Sequence, residues 1–187
     1  MSVLKKRLTL EEFLALPEEK PALELEPDGT VTQKASPQGQ HSTLQVAAVE
    51  VFNRFARPRK LAMAFTELRV TFGGASYVPD VSVFRWDRIP VMPDGKVAND
   101  FFDPPDIAVE IASPGQRMAA LIQRCTWYVE NGVRVALLVQ PADSSVRLVR
   151  PGAEVRTLRG TDPVDESDVL PGFQLAVDEL FESLSVR

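Results

Sequence analysis

The stretch Pro105-Asp106-Ile107-Ala108-Val109-Glu110-Ile111-Ala112-Ser113-Pro114 decides how this chain folds. Ile107 to Ala112 is a short apolar run, the pattern of a strand covered on both faces. A carboxylate inside such a run, here Glu110, costs several kcal/mol unless it is paired or bound to a metal. A helix signal follows at once, with Ser113 as N-cap, Pro114 at the first helical position and Gln116 at the third. Met118, Leu121, Ile122, Cys125 and Val129 then recur at helical spacing, and Asn131-Gly132 closes the helix. Val133 to Val139 is a second buried strand. A buried strand, a helix and another buried strand place the chain in the α/β class.

Outward from this unit the signals stay regular. Tyr77-Val78-Pro79-Asp80-Val81-Ser82-Val83-Phe84 reads as a strand returning from a Gly73-Gly74 turn after an extended stretch, Leu61 to Phe72. Leu44, Ala47, Ala48, Val51, Phe52 and Phe55 mark a helix from His41 to Ala56, which Pro58 stops. Leu23 to Gln33 alternates around Pro27-Asp28-Gly29 as two short strands, and Thr9-Leu10-Glu11-Glu12 is a capping box opening a helix from Leu10 to about Leu16. Trp86 to Asp103, with Pro90, Pro93 and Gly95, reads as an exposed excursion and a contact surface for a partner or second subunit. Val146 to Val149 and Glu154 to Leu158 are further strands, and a short helix over Val177 to Leu184 ends the pattern. With no repeat, low-complexity block or long linker, one domain over residues 1–187 is expected: a mixed sheet flanked by helices.

Composition removes several chemistries. The chain of 187 residues carries a formal charge of −5, without the global basic footprint of a protein that coats nucleic acid. The basic runs Lys5-Lys6-Arg7 and Arg54 to Lys60 read as solvated faces. A single cysteine, Cys125, excludes a disulfide scaffold and any site built from several thiolates. His41 is the only histidine, so a multi-histidine metal site is impossible and a Ser-His-Asp triad would have to use it. No segment approaches the roughly 18–20 apolar residues of a membrane span. The first residues run into an acidic segment and not into a signal-peptide core, so a cytoplasmic protein is expected.

A metal-dependent phosphodiesterase needs two or three carboxylates from different elements converging on one cation, with a positive charge near the attacking water. Asp80 and Glu110, each an acid among apolar strand residues, are the first candidates. Period-two alternation puts Asp106 on the face of Glu110, although after Pro104-Pro105 it reads better as a strand-entry residue. Glu24, in Ala22-Leu23-Glu24-Leu25, is another acid on an apolar strand, with a surface position on a half-buried hairpin as its alternative.

Glu24 with Asp28-Gly29, Ser36-Pro37, His41, Val78 to Val83, Pro105 to Pro114, Trp127 to Val133 and the strand ending at Pro141 together resemble the Uma-type restriction endonucleases, a family of the PD-(D/E)xK nuclease superfamily. The resemblance runs from about residue 10 to 151, leaving 152–187 as a C-terminal strand and helix extension. It implies a restriction-endonuclease-like mixed β-sheet flanked by α-helices. It also implies an endonuclease acting on DNA with Mg²⁺, or Mn²⁺, whose site uses Glu24, Asp80 and Glu110, with Asp80 and Glu110 holding the metal. By analogy with superfamily enzymes that cut both strands, a homodimer is expected.

Two departures matter. The superfamily lysine would stand two residues after Glu110, where this chain has Ala112; the family's basic residue in the following helix falls on Arg124. Arginine keeps the charge and can stabilise developing phosphate charge, but it is never neutral and makes a poor base. The extra residue at Glu26-Pro27 makes Glu26 the alternative to Glu24. His41 matches a histidine frequent in the family, with a core or helix-terminal role as its alternative, and the helix opening at Ser113-Pro114 would favour a phosphate near Glu110. A competing class is a nuclease-fold protein that binds without cutting, which Arg124 and the acidic balance favour. A two-carboxylate glycosidase lacks its usual aromatic platform, with only two Trp and two Tyr available.

Overall fold

The strand Ile107–Ile111 and the apolar helix after it fold as their sequence reads except at the helix's start, and the rest of the molecule is organised around them. The computed structural model describes residues 7–186; Lys5 and Lys6 of the first basic run lie outside them. In chain order the elements are α1 (Leu10–Leu14), β1 (Leu23–Leu25), β2 (Val31–Gln33), α2 (Gly39–Ala56), β3 (Ala62–Thr66), β4 (Val70–Phe72), β5 (Ala75–Tyr77) and β6 (Val81–Arg85). They continue with β7 (Ile107–Ile111), α3 (Met118–Glu130), β8 (Val135–Gln140), β9 (Ser145–Val149), β10 (Arg156–Arg159), β11 (Pro163–Asp165), β12 (Gln174–Ala176) and α4 (Val177–Phe181).

Six strands form the main sheet in the order β10-β9-β8-β7-β6-β3. Only β7 and β8 run parallel, joined by the α3 crossover, so the sheet is mixed as expected. Every residue of β7 is buried because both faces are covered. On one face Leu44, Ala48 and Phe52 of α2 pack with Val81, Val83, Ile107 and Val109, and Phe52 stacks on Phe173 at 4.8 Å. On the other, Leu121, Cys125 and Tyr128 of α3 pack with Phe84, Ala108, Leu138 and the aromatic residues Phe72 and Tyr77. Among the described residues no helix is long and apolar enough to cross a membrane.

Three expectations need correction. Leu61 to Phe72 and Tyr77 to Phe84 are not single strands: β3 and β6 pair in the main sheet, whereas β4 and β5 belong to a four-stranded sheet ordered β2-β1-β5-β4. Glu67, at φ 48, breaks the first stretch without a glycine or proline to announce it. Val78 to Asp80 carries the chain between the sheets in the second. The helix after β7 starts at Met118 with Arg117 as its N-cap, not at Ser113. Gln116 Oε1 does accept from the Ser113 N–H at 2.8 Å, but Gly115 at φ 86 turns the chain out of helical geometry. The short pair β11 and β12 was not expected, and Phe101, at the end of the excursion, is buried against Phe65 and Phe84.

The β4–β5 turn is fixed by close approach. Gly73 sits at φ 57, and a Cβ there would meet Asn131 Oδ1 at 2.6 Å and the Trp127 ring at 3.0 Å. Gly74, at φ 81, has open space. Gly73→Ala should therefore destabilise the protein by about 2–3 kcal/mol and Gly74→Ala by about 1 kcal/mol. Urea midpoints of the two variants check this, and equal losses would contradict the contact.

Candidate active site

The main sheet brings the two central acids together. β6 and β7 are antiparallel with Val81 opposite Val109, and one further step in that register sets Asp80 opposite Glu110. The Ile111 N–H donates to Asp80 Oδ2 at 2.7 Å, locking this end of the pair. The α2 helix adds His41, whose Nε2 lies 3.1 Å from Asp80 Oδ2, and Gln45, which donates to the Asp80 carbonyl at 2.8 Å. Lys34, just beyond β2, places Nζ 2.7 Å from Asp80 Oδ1. Glu110 is held from α3, where the Tyr128 hydroxyl donates to its Oε1 at 2.6 Å.

The small sheet delivers the remaining groups. Glu24 is buried on β1, accepts from the Val78 N–H at 2.9 Å and pairs with Arg124 Nη1 at 2.8 Å. Glu26, its alternative, faces the same space. It takes Arg124 Nη2 at 3.4 Å and accepts a hydrogen bond from the Tyr77 hydroxyl. The Arg124 guanidinium lies 4.9 Å over the Tyr77 ring, so it is clamped by two carboxylates and an aromatic face.

Glu24, Asp80, Glu110 and Arg124 all line one cavity of about 720 Å³, with His41, Lys34 and Glu26 in its wall. Asp106 does not join them. It is buried at the other end of β7, accepts from the Arg85 N–H and pairs with Arg88 at 2.8 Å and Arg134 at 3.3 Å, which makes it the strand-entry anchor. Ser113, Gln116 and Arg117 still line the cavity although α3 opens later than expected.

Sequence reasoning missed Lys34, Gln45, Tyr77 and Tyr128. Lys34 leaves no local signal: it follows a short strand next to Ser36-Pro37, and only the fold reveals that among the described lysines it alone is not exposed. Tyr128 stands in the family-like stretch Trp127 to Val133, where a tyrosine next to the apolar stripe of α3 reads as core.

Burial shapes the electrostatics. It pushes the Glu110 carboxyl up to about 7, reinforced by the Asp80 charge and only partly offset by Arg124 and Lys34. Burial pushes Asp80 the same way, but the His41 hydrogen bond and the Lys34 charge overcome it and hold this acid below the ordinary range. Burial also works against the Lys34 and Arg124 cations, and the surrounding carboxylates outweigh it in both. The two acids are thus driven apart, one held ionised and its neighbour inclined to keep a proton.

This has a measurable consequence. Folded Glu110 retains its proton up to about 7, while the unfolded chain releases it near 4.5. The folded state therefore loses stability as pH rises through that window and levels off above it. Glu166, buried beside Arg150 and also pushed up to about 7 by burial, acts in the same direction elsewhere in the molecule. Glu110→Gln should match wild type near pH 4.5 and exceed it by ~2–3 kcal/mol at pH 8 without divalent metal. Urea unfolding across this range checks the sign, and a variant that is less stable at pH 8 would reverse it.

The donor set fits a hard divalent cation. Five carboxylates (Glu24, Glu26, Asp28, Asp80 and Glu110) line the cavity against three basic side chains (Lys34, Arg117 and Arg124), an excess of two negative charges when all are ionised. Among the described residues no three carboxylate, histidine or cysteine groups form a ready-made metal cage. Mg²⁺ suits that arrangement, since it typically takes one or two carboxylates and keeps its other positions for water and substrate phosphate. Asp80 and Glu110, side by side in the cavity wall, are the carboxylates that could hold such an ion.

The family model Uma2, described as "Putative restriction endonuclease", matches residues 10–178. The chain belongs to the Uma2 family. The match runs past residue 151 and takes in β10, β11 and β12. A crystal structure from Anabaena variabilis ATCC 29413, described as "a putative nuclease belonging to DUF820", is similar over 95% of this chain and 99% of that one, at 37% identity and a TM-score of 0.90. No curated protein matches the chain. The mixed sheet with helices on both faces is the restriction-endonuclease-like fold that the resemblance implied.

Proposed function

We propose that this Uma2 protein is a metal-dependent endonuclease that hydrolyses phosphodiester bonds in DNA, using Mg²⁺ or Mn²⁺ held by Asp80 and Glu110. The observation that carries this reading is the placement of these two buried carboxylates side by side, one just before β6 and one on β7, in the wall of an open cavity. Burial, reinforced by the Asp80 charge, pushes the Glu110 carboxyl up to about 7, and acids perturbed in this way cluster at functional sites. Membership of a family described as restriction endonucleases supports the same reading.

A divalent cation held by Asp80 and Glu110 would supply acidity to a water and neutralise charge on the scissile phosphate. The protein supplies the positions. His41 Nε2 and the Ile111 N–H fix Asp80 Oδ2, and the Tyr128 hydroxyl fixes Glu110 Oε1. Arg124 holds Glu24 in place and contributes a fixed positive charge facing the cavity. Arg117, exposed at the start of α3, offers a cation to the DNA backbone at the rim. A homodimer would present two such sites to the two strands of a duplex.

One observation favours the competing reading, a protein that binds without cutting. The Arg124 guanidinium is engaged by Glu24, Glu26 and the Tyr77 ring, and the post-Glu110 position is Ala112. Incubation of wild type and Glu110→Gln with supercoiled plasmid and Mg²⁺ or Mn²⁺ separates the two. Nicking by wild type alone supports the nuclease; metal-enhanced DNA binding with intact plasmid supports the binder.

A further inference from the structure

Lys34 is the one cation in the cavity to which the reading above gives no task. Its ammonium is held by three oxygens: Asp80 Oδ1 at 2.7 Å, the Val78 carbonyl at 2.7 Å and Glu67 Oε1 at 3.3 Å. The division of labour on Asp80 is uneven. Oδ2 already takes the Ile111 N–H and faces His41 Nε2, both from rigid elements, so Oδ1 is the oxygen left to serve a ligand. Lys34 alone occupies it. The lysine has a flexible four-carbon stem and stands just outside β2, next to the loop that leads into α2. Arg124 has no such freedom, being tied to Glu24, Glu26 and the Tyr77 ring.

We infer that Lys34 is the lysine of this site: its ammonium holds Asp80 Oδ1 until a divalent cation takes that oxygen, and it then faces the cavity as a compact positive charge. This rests on the reading that Asp80 and Glu110 hold the metal. The ammonium keeps the buried Asp80 charge neutralised in the metal-free protein. Once released it supplies, from the segment just after β2, the compact positive charge that Ala112 cannot provide. Lys34 thereby sets both the metal affinity of the site and its rate.

Calorimetric titration with Mn²⁺, alongside plasmid nicking at saturating Mn²⁺, tests this on the full chain. Lys34→Met should bind Mn²⁺ about tenfold more tightly than wild type, because a competing charge leaves the ligand atom. It should nick about a hundredfold more slowly, because that compact positive charge is gone. Lys34→Gln, which keeps a donor for Asp80, guards against a folding defect and should shift both values in the same directions. Arg117→Met removes the same charge from the cavity rim and should change Mn²⁺ affinity about twofold or less. Unchanged Mn²⁺ affinity in both Lys34 variants, or an equal gain in Arg117→Met, overturns the inference while Glu110→Gln still abolishes binding. If Glu110→Gln binds Mn²⁺ as wild type does, the metal site itself is wrong and the inference falls with it.

Discussion

Asp80→Asn is expected to be the most damaging single substitution in the site, removing metal-dependent cleavage and ~3–5 kcal/mol of stability together. Asp80 is the negative centre of a buried network: Lys34, His41 and the Ile111 N–H all point at it. An amide cannot accept from all of them with the same strength, and it leaves the Lys34 ammonium, whose side chain is only 12% exposed, short of its main counter-charge. Glu110→Gln makes the informative contrast. It should lose cleavage equally, yet gain stability above pH 7, because Glu110 is the member of the pair that burial and Asp80 discourage from ionising. Urea unfolding and plasmid nicking on both variants check the prediction. An Asp80→Asn protein as stable as wild type would mean that the network does not centre on this acid.

Arg124→Ala is expected to follow closely, with a loss of ~3 kcal/mol and of cleavage. Truncation strands Glu24, whose side chain is buried, with a single remaining hydrogen bond from the Val78 N–H, and it uncovers the Tyr77 ring. Arg124→Lys should be milder. A lysine preserves the charge and one ion pair, but a single ammonium cannot span Glu24 and Glu26 or stack flat on Tyr77. A loss of ~1–2 kcal/mol with cleavage retained within about tenfold is the expected result. Full activity and stability in both variants would reduce Arg124 to an ordinary helix-surface residue.

The legible parts of this protein were those where apolar pattern leaves few choices. Ile107 to Ile111 could only be a buried strand, the stripe from Met118 to Val129 could only be a helix against it, and a carboxylate inside such a strand had few physical outcomes. Glu24 and Glu26 could not be separated by spacing, and the structure explains the ambiguity: both side chains bind Arg124. Strand breaks were harder to see. Glu67 enters the left-handed region with no glycine, and β11 and β12 are too short, at three residues each, to show a period. α3 starts later than Ser113 and Pro114 invite because Gly115 favours a turn over a helix. Lys34 was overlooked because a lysine beyond a short strand normally faces water. Its burial depends on Asp80 and Glu67, more than thirty residues away in sequence, and no local pattern records that.

Asp80 and Glu110 are expected to bind one divalent ion between them. Isothermal titration of Mn²⁺ into wild type and Glu110→Gln, side by side at pH 7.5, reads this directly. One ion per chain in wild type and none in the variant is the predicted result. Equal binding in both, or no binding to wild type, would contradict it.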